Sequence, residues 1–309
     1  MFYCNMGNIY TSNGFCLSLK DENNWWITGD CDNKELVSKL ATIMRLEECV
    51  PKDSFRIIFS SDDSKVIKGN SHPDINVSKS LPEWKLYEFG EIRIWCHNSR
   101  NEVICKSANR SDDLVQYISM WLSLLPIFQR SIFLGGLPLH AGLAELDGKG
   151  VLLAAPGNTG KSTCCRRLPD HWKPLCDDLT LVVRDEHKKY HVHPFPTWSD
   201  YLLKREENSW DVQYSVPLSA IFFIEQAESS KAIPLDIGKS AVNITDSSFQ
   251  VLSNFFKIMS WEEQLTLKKG IFSNAYEIAK NIPAFRLHVS FNGRFWEEME
   301  KSLVYKLYT

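Results

Sequence analysis

The segment that most constrains the fold of this chain is residues 150–178, which read GVLLAAPGNTGKSTCCRRLPDHWKPLCDD. It predicts an apolar strand, a tight loop containing glycine, a helix that opens on Lys161, and a short strand that ends at an acidic pair. In such a loop the backbone N–H groups turn inward around phosphate oxygens, and the helix N-terminus adds its positive dipole end. The segment therefore predicts a binding site for a nucleoside triphosphate.

The phosphate-loop pattern assigns roles to individual residues. We expect Lys161 to reach the outer phosphates and the hydroxyl of Ser162 to ligate Mg²⁺. The predicted nucleotide-binding residues are Gly157, Asn158, Thr159, Gly160, Lys161, Ser162 and Thr163. The usual pattern begins with glycine, whereas this loop begins with Ala155. The alternative interpretation is an ordinary strand, loop and helix that carry a surface lysine.

An acidic pair follows the loop at a position suited to phosphoryl transfer. Asp177 and Asp178 lie 16 and 17 positions after Lys161, between apolar residues that indicate a buried strand junction. Neighbouring strand residues point to opposite faces, so one carboxylate faces the metal and the other faces the substrate. The carboxylate that faces the metal helps to hold Mg²⁺, and the carboxylate that faces the substrate accepts the proton of an attacking hydroxyl. A solvated Asp-Asp turn is the alternative.

Three histidines are further candidates. The Asp147-Gly148 pair predicts a hairpin that places the loop strand antiparallel to a strand carrying His140. His140 is therefore a candidate catalytic residue, although a lone histidine is more often structural. For His191 and His193 we expect polar positions on a half-exposed strand rather than a transition-metal site, because no third ligand is evident.

Composition limits the kinds of partner and compartment. The net charge of −3 gives no electrostatic footprint for nucleic acid or anionic lipid, so we expect a protein or peptide partner, while the oligomeric state stays open. No apolar run reaches the length of a membrane span, and the N-terminus lacks a signal-peptide pattern, which predicts a cytoplasmic protein. The nine cysteines include no C-x-x-C motif, so reduced thiols are expected.

The pattern along the chain predicts two domains. Residues 1–110 indicate an α+β domain, in which a hairpin at 15–28, a helix at 32–45 and four short strands follow one another. Its aromatic residues are expected in the core, with a peptide-binding groove as the alternative. Residues 111–309 indicate a catalytic domain that opens with one helix to about residue 130 and continues as strands and helices of a mixed α/β sheet. The aromatic residues of the first domain to which this expectation applies are Trp25, Trp26, Trp84, Tyr87 and Trp95.

The segments LHAGLAELDGKGVLLAAPGNTGKS and PLCDDLTLV resemble the catalytic domain of the HPr kinase/phosphorylase family, whose fold is similar to the phosphoenolpyruvate carboxykinase core. Within that superfamily, VPLSAIFFIEQAE and IPAFRLHVSFNGRFWEEM are similar to SynChlorMet cassette protein ScmC and to kinases that phosphorylate a serine of lasso peptides. The resemblance implies ATP and Mg²⁺, with Asp177 as the proton acceptor and Asp178 toward the metal. It also implies that His140 orders the reacting groups.

The sequence departs from this family in its charged residues. The glutamate-and-arginine signature of true HPr kinases and their later arginine-containing loop are not found, which argues against HPr as the substrate and against phosphorolysis. Arg286 and Arg205 are candidate replacements for a charge-stabilising arginine.

Together these observations predict an ATP- and Mg²⁺-dependent kinase for a hydroxyl, most simply a serine of a peptide or small protein. The predicted catalytic residues are Asp177, His140 and Lys161, and the predicted metal ligands are Ser162 and Asp178. The main alternative is a nucleotide-binding accessory protein of a peptide-modification pathway that transfers no phosphate. A metabolite phosphotransferase stays open, and carboxykinase chemistry is disfavoured because no arginine cluster lies near the loop.

Overall fold

The computed structural model describes residues 14–50, 54–61, 83–107, 112–157, 159–203 and 208–305. By their contacts these residues form two compact units. The first contains the described residues within 14–18, 24–42 and 46–123, and the second contains those within 19–23, 43–45 and 124–305. The predicted domain boundary at residue 110 remains a prediction.

The first unit is built on a seven-stranded sheet in the order β3-β1-β2-β4-β7-β6-β5. The predicted hairpin is confirmed, because β1 and β2 pair antiparallel with Phe15 opposite Ile27. Two helices accompany the sheet, α1 (Lys34–Met44) and α2 (Asp113–Leu122). The strands are β1 (Gly14–Ser18), β2 (Asn24–Gly29), β3 (Glu47–Cys49), β4 (Phe55–Phe59), β5 (Trp84–Phe89), β6 (Ile92–His97) and β7 (Glu102–Ser107).

Aromatic side chains supply much of the apolar interior of this unit. Trp25, Trp26, Tyr87 and Trp95 are all buried, and Trp84 packs against the cluster that contains Trp95. Large aromatic side chains stabilise a sheet through the area they remove from water. Their expected packing role is therefore confirmed for these four residues.

The expectation of reduced thiols is wrong for one pair. Cys16 of β1 and Cys49 of β3 form a disulfide across neighbouring antiparallel strands, with a Cα to Cα distance of 5.8 Å. The two cysteines are 33 positions apart, and only the strand order brings them together. Structural disulfides are uncommon in the reducing cytosol, so the cytoplasmic location stays a prediction. The free cysteines in the described ranges are Cys31, Cys96, Cys105, Cys164, Cys165 and Cys176.

The second unit contains a mixed sheet in the order β11-β9-β10-β14-β13-β12-β8, and β16 joins it by pairing with β14 and β15. The hairpin predicted from Asp147-Gly148 is confirmed, because β9 and β10 pair antiparallel on either side of this turn. β10 also pairs parallel with β14, which confirms the mixed sheet. The strands are β8 (Leu137–Leu139), β9 (Ala141–Leu146), β10 (Lys149–Ala154), β11 (Lys173–Cys176), β12 (Leu179–Arg184), β13 (Tyr190–Phe195), β14 (Val216–Gln226), β15 (Lys231–Pro234) and β16 (Ala284–Val289).

The predicted helix across residues 111–130 is wrong in its length. Asp112 caps α2 by accepting a hydrogen bond from the N–H of Leu114, but the helix ends at Leu122 and a new one begins at Leu125. Pro126 lies in the first turn of the new helix, a position that needs no donated backbone hydrogen bond. The helices of the second unit are α3 (Leu125–Phe133), α4 (Lys161–Arg167), α5 (Trp198–Leu202), α6 (Ile237–Phe256), α7 (Trp261–Asn281) and α8 (Phe295–Tyr305).

A hydrophobic cluster fixes the position of the phosphate loop. Side chains of β10 and β14, such as Leu153 and Phe222, pack with Cys164 and Cys165 of α4 and with Phe295 of α8. Because these side chains are fully or nearly fully buried, the end of β10 and the start of α4 are held to one core. Of the helices in the described ranges, none combines the length and the apolar character of a membrane span.

Candidate functional site

The predicted strand, loop and helix are confirmed around the phosphate loop. β10 ends at Ala154, and α4 begins at Lys161. Gly160 precedes the helix at φ +108°, a conformation that glycine adopts without steric cost. A side chain added at Gly157 or Gly160 would meet no atom within 4 Å, so the loop faces open space. Asn158 lies outside the described residues.

Ala155, the residue that departs from the usual glycine, lies against the core. It is buried and belongs to the cluster that joins β10 to α4. Its carbonyl oxygen accepts a hydrogen bond of 3.0 Å from Nζ of Lys161. The alanine therefore fills a packed position and contributes to the loop through its backbone.

Lys161 is not a surface lysine, so that part of the alternative interpretation is wrong, while nucleotide binding stays a prediction. Its side chain is 6 % exposed, and Nζ lies 2.9 Å from Nε2 of His140 in addition to the carbonyl of Ala155. Burial lowers the pKa of Lys161, although the charges of Asp178 and Asp177 act in the opposite direction. A buried cation beside two carboxylates is a common feature of functional sites.

His140 lies between two strands rather than inside one. The predicted strand that carries His140 is interrupted at this residue, because β8 pairs with β12 whereas β9 pairs with β10. Nδ1 lies 2.7 Å from Oε1 of Gln250, and Nε2 lies 2.8 Å from Oδ1 of Asp178. Helix α6 also holds the backbone of His140, through the carbonyl and the hydroxyl of Ser247.

The two aspartates have different partners, although neither lies in a strand, so the predicted alternation of strand faces does not apply to them. They lie between β11 and β12. Burial raises the pKa of Asp178, but the hydrogen bond from His140 and the charges of His140 and Lys161 hold this pKa below its ordinary value. Asp177 instead accepts a hydrogen bond of 2.8 Å from the hydroxyl of Thr197.

The contacts of the imidazole of His140 cannot all be satisfied at once. Oε1 of Gln250 and the carboxylate of Asp178 accept hydrogen bonds, whereas the ammonium of Lys161 donates them. A ring with protons on both nitrogens satisfies the two acceptors and leaves Lys161 facing an N–H. A ring with a proton on Nδ1 alone satisfies Lys161 and leaves Asp178 facing a lone pair. An additional anionic oxygen beside Nζ of Lys161 would remove this conflict.

The predicted residues meet in one cleft of about 920 Å³, hereafter the main cleft. Thr159 does not line it, and its carbonyl oxygen accepts a hydrogen bond of 3.2 Å from Nε2 of Gln226. The predicted residues that line the main cleft are His140, Gly157, Gly160, Lys161, Ser162, Thr163, Asp177 and Asp178.

The sequence matches the model of one protein family. The family model described as "SynChlorMet cassette protein ScmC" matches residues 103–305, which is more than half of the chain. The chain belongs to the ScmC family. The expected likeness to ScmC is thereby confirmed.

Comparison with solved structures finds a protein of low sequence identity. The Hpr(Ser) kinase/phosphatase from Coxiella burnetii is 13 % identical and superposes with a TM-score of 0.29. The alignment covers 55 % of the ScmC-family chain and 89 % of the other chain. No curated protein matches the sequence.

Four residues at or near the site of this ScmC-family protein were not predicted from the sequence. Gln250 lies 110 positions after the histidine that it contacts, and Thr197 lies 20 positions after Asp177. Asp200 and Arg166 line the main cleft together with Thr197. The positions of Gln250, Thr197 and Asp200 depend on tertiary contacts. Arg166 follows Lys161 by five positions, so its location on α4 could have been predicted from the sequence.

The other candidates lie elsewhere. Arg286 lines a separate, smaller cavity and pairs with Glu225, and Arg205 lies outside the described residues. His193 is buried rather than half-exposed, with Nδ1 2.8 Å from the carbonyl oxygen of Val212. His191 lies 3.1 Å from a carboxylate oxygen of Asp185.

Proposed function

We propose that this ScmC-family protein is an ATP- and Mg²⁺-dependent kinase that phosphorylates a hydroxyl group, namely a serine of a peptide or small protein. The observation that carries the proposal is the chain of contacts from the buried Lys161 through His140 to Asp178, with Asp177 in the same cleft. The family membership and the sequence resemblance support it.

The residues present fit a nucleotide phosphate. An anionic phosphate oxygen beside Lys161 supplies the acceptor that the ammonium lacks when the ring of His140 donates to Asp178. The open space beside Gly157 and Gly160 allows the backbone of the loop to approach such a group closely.

They also fit Mg²⁺ that arrives with the nucleotide. Within the described ranges, no three histidine, cysteine or acidic side chains are grouped so as to hold a metal by themselves. Mg²⁺ usually takes one or two protein carboxylates and completes its shell with phosphate oxygens and water. Ser162 and Asp178 would supply a hydroxyl and a carboxylate, and Asp200 lines the same cleft as a further carboxylate.

The protein groups have separate tasks in the proposed reaction. ATP with Mg²⁺ supplies the phosphoryl group and neutralises charge on the β and γ phosphates. Asp177, held by the hydroxyl of Thr197, accepts the proton of the serine hydroxyl as the new O–P bond forms and the bond to the β-phosphate oxygen breaks. Lys161 stabilises charge on the transferred group, and His140 keeps Lys161 and Asp178 in place.

The test uses radiolabelled ATP, Mg²⁺ and a panel of serine-containing peptides. We expect Asp177→Asn to retain ATP binding and to lower phosphate transfer by about 10²- to 10⁴-fold, because the general base is lost. Asp170→Asn is the matched control, since Asp170 is exposed and does not line the main cleft. Unchanged transfer in Asp177→Asn would reject Asp177 as the base. ATP binding without transfer to any peptide would favour the accessory-protein alternative.

A further inference from the structure

A second cavity of about 250 Å³, hereafter the side cavity, lies beside the carboxyl ends of β10 and β14, Arg286 within β16, and helix α6. One part of its lining is apolar and includes Ala155, Pro156 and Phe223. The other part is polar and includes Asn243 and Asp246 of α6 and Arg286 of β16. Gln250, which contacts His140, also lines this cavity, but Asp177, Asp178 and Lys161 do not.

The side cavity adjoins the main cleft through the phosphate loop. Ala155 and Pro156 line the side cavity, whereas Gly157 and the residues from Gly160 onward line the main cleft. The carbonyl of Ala155 also binds Nζ of Lys161. A molecule whose phosphates contact the loop is therefore within reach of both cavities.

The proposed general base fixes which end of a bound triphosphate lies in the main cleft. Asp177, Asp178 and Asp200 all line the main cleft, and none of them lines the side cavity. The phosphate that is transferred must lie beside Asp177, because that carboxylate accepts the proton of the attacking hydroxyl. The nucleoside is at the opposite end of the phosphate chain. A nucleoside in the side cavity would lie beside Ala155 and Pro156, whereas the three aspartates line the other cavity.

The chemistry of the side cavity suits a nucleoside. Ala155, Pro156 and Phe223 offer an apolar surface for the face of a base, and the carboxamide of Asn243 can both donate to and accept from its edge. The carboxylates of Asp246 and Glu225 can accept from ribose hydroxyls. The cavity is smaller than the roughly 300–1,000 Å³ of pockets for drug-sized ligands, which favours a base with its ribose over a peptide.

We propose that the side cavity binds the nucleoside moiety of the triphosphate donor, an inference that rests on the proposed binding of its phosphates at the loop. Asn243 then contributes to selection of the base, and the apolar loop residues Ala155 and Pro156 connect the base to the phosphates.

The test compares the binding of ATP and of inorganic tripolyphosphate, each with Mg²⁺, to the full chain by calorimetry. Asn243→Trp fills the side cavity. Val242→Trp places the same side chain at the next position, where Val242 is 51 % exposed and outside the cavity lining. We expect Asn243→Trp to raise the Kd for ATP about 10-fold or more and to leave the Kd for tripolyphosphate within about 2-fold, whereas Val242→Trp changes neither.

Asn243→Leu separates contact from disruption, because it removes the carboxamide without adding bulk. A selective loss of ATP affinity in this variant, smaller than that in Asn243→Trp, supports the proposal. Equal changes for ATP and tripolyphosphate in Asn243→Leu overturn it, and so does unchanged ATP binding in both Asn243 variants.

The outcome is separable from that of the proposed function. A wild-type protein that binds ATP no more tightly than tripolyphosphate overturns the nucleoside site, although phosphate transfer can still occur. A wild-type protein that binds ATP selectively through Asn243 but phosphorylates no peptide upholds the nucleoside site and overturns the kinase. A wild-type protein that binds neither ligand overturns both proposals.

Discussion

Oε1 of Gln250 lies 2.7 Å from Nδ1 of His140, and this contact links helix α6 to the cluster around Lys161. The same carboxamide donates to the carbonyl of Asp246 through Nε2, at 3.4 Å, which fixes the oxygen toward the imidazole. Nδ1 of His140 faces this oxygen, and Nε2 is directed at Asp178 and Lys161. The contact with Gln250 therefore holds the orientation of the ring.

Replacement of Gln250 by methionine should slow phosphate transfer. The ring of His140 loses the partner that fixes its orientation, so we expect kcat to fall about 10- to 100-fold while the KM for ATP stays nearly constant. Gln250→Glu keeps an acceptor oxygen and should recover much of the rate. Steady-state kinetics measure both quantities. A rise in the KM for ATP with unchanged kcat, or no recovery in Gln250→Glu, would contradict a positioning role.

Replacement of Lys161 by methionine should affect both binding and transfer. The substitution removes a buried positive charge that contacts the imidazole of His140 and the carbonyl of Ala155. We expect the transfer rate to fall at least about 10²-fold, because charge on the transferring phosphate is no longer stabilised. Lys149→Met, at an exposed position on β10, is the control for loss of a lysine. Equal rates in the two variants would reject the role of Lys161.

Local patterns predicted the parts of the site that are local. The apolar run before the loop, the glycine at the start of α4 and the Asp147-Gly148 turn each depend on a few neighbouring residues, and each is found as predicted. The position of Asp177 and Asp178 between two strands follows from the apolar residues beside them, although both side chains are only partly buried. The position of His140 was predicted only approximately, because the break between β8 and β9 arises from pairing with two different strands.

Local sequence patterns could not predict the contacts between segments that are distant along the chain. The approach of Gln250 to His140 depends on the packing of α6, and the Cys16 to Cys49 disulfide depends on β3 pairing with β1. Periodicity reports which face of an element is apolar, but it does not report which elements become neighbours. The roles of the residues in catalysis and the domain boundary at residue 110 stay predictions.

The free energy of unfolding should fall as the pH is lowered, because His193 is buried. Burial lowers the pKa of His193 from 6.5 to about 4, against the hydrogen bond to the carbonyl of Val212, which raises it. Between pH 6.5 and about 4 the unfolded chain therefore binds a proton that the folded protein does not, and stability decreases toward lower pH. The loss attributable to His193 is about 3 kcal/mol at the lower end of this window.

Urea unfolding between pH 4 and pH 7.5 measures this dependence. His193→Asn should be less stable at pH 7.5 but should show a smaller decrease toward pH 4 than the wild type. His187→Asn should keep the wild-type slope, because the side chain of His187 is 72 % exposed. An unchanged slope in His193→Asn would show that another group causes the pH dependence.

Removal of the Cys16 to Cys49 disulfide should destabilise the first unit. The bond joins β1 to β3 at one end of the seven-stranded sheet, and β3 contains only three residues. The bond restricts the unfolded chain over a separation of 33 residues, so Cys16→Ser should lower the free energy of unfolding by about 2–4 kcal/mol. Cys31→Ser, at an exposed free thiol, should have little effect. Mass spectrometry of unreduced peptides identifies the bond directly, and equal stability of the two variants under oxidising conditions would show that it contributes nothing to the fold.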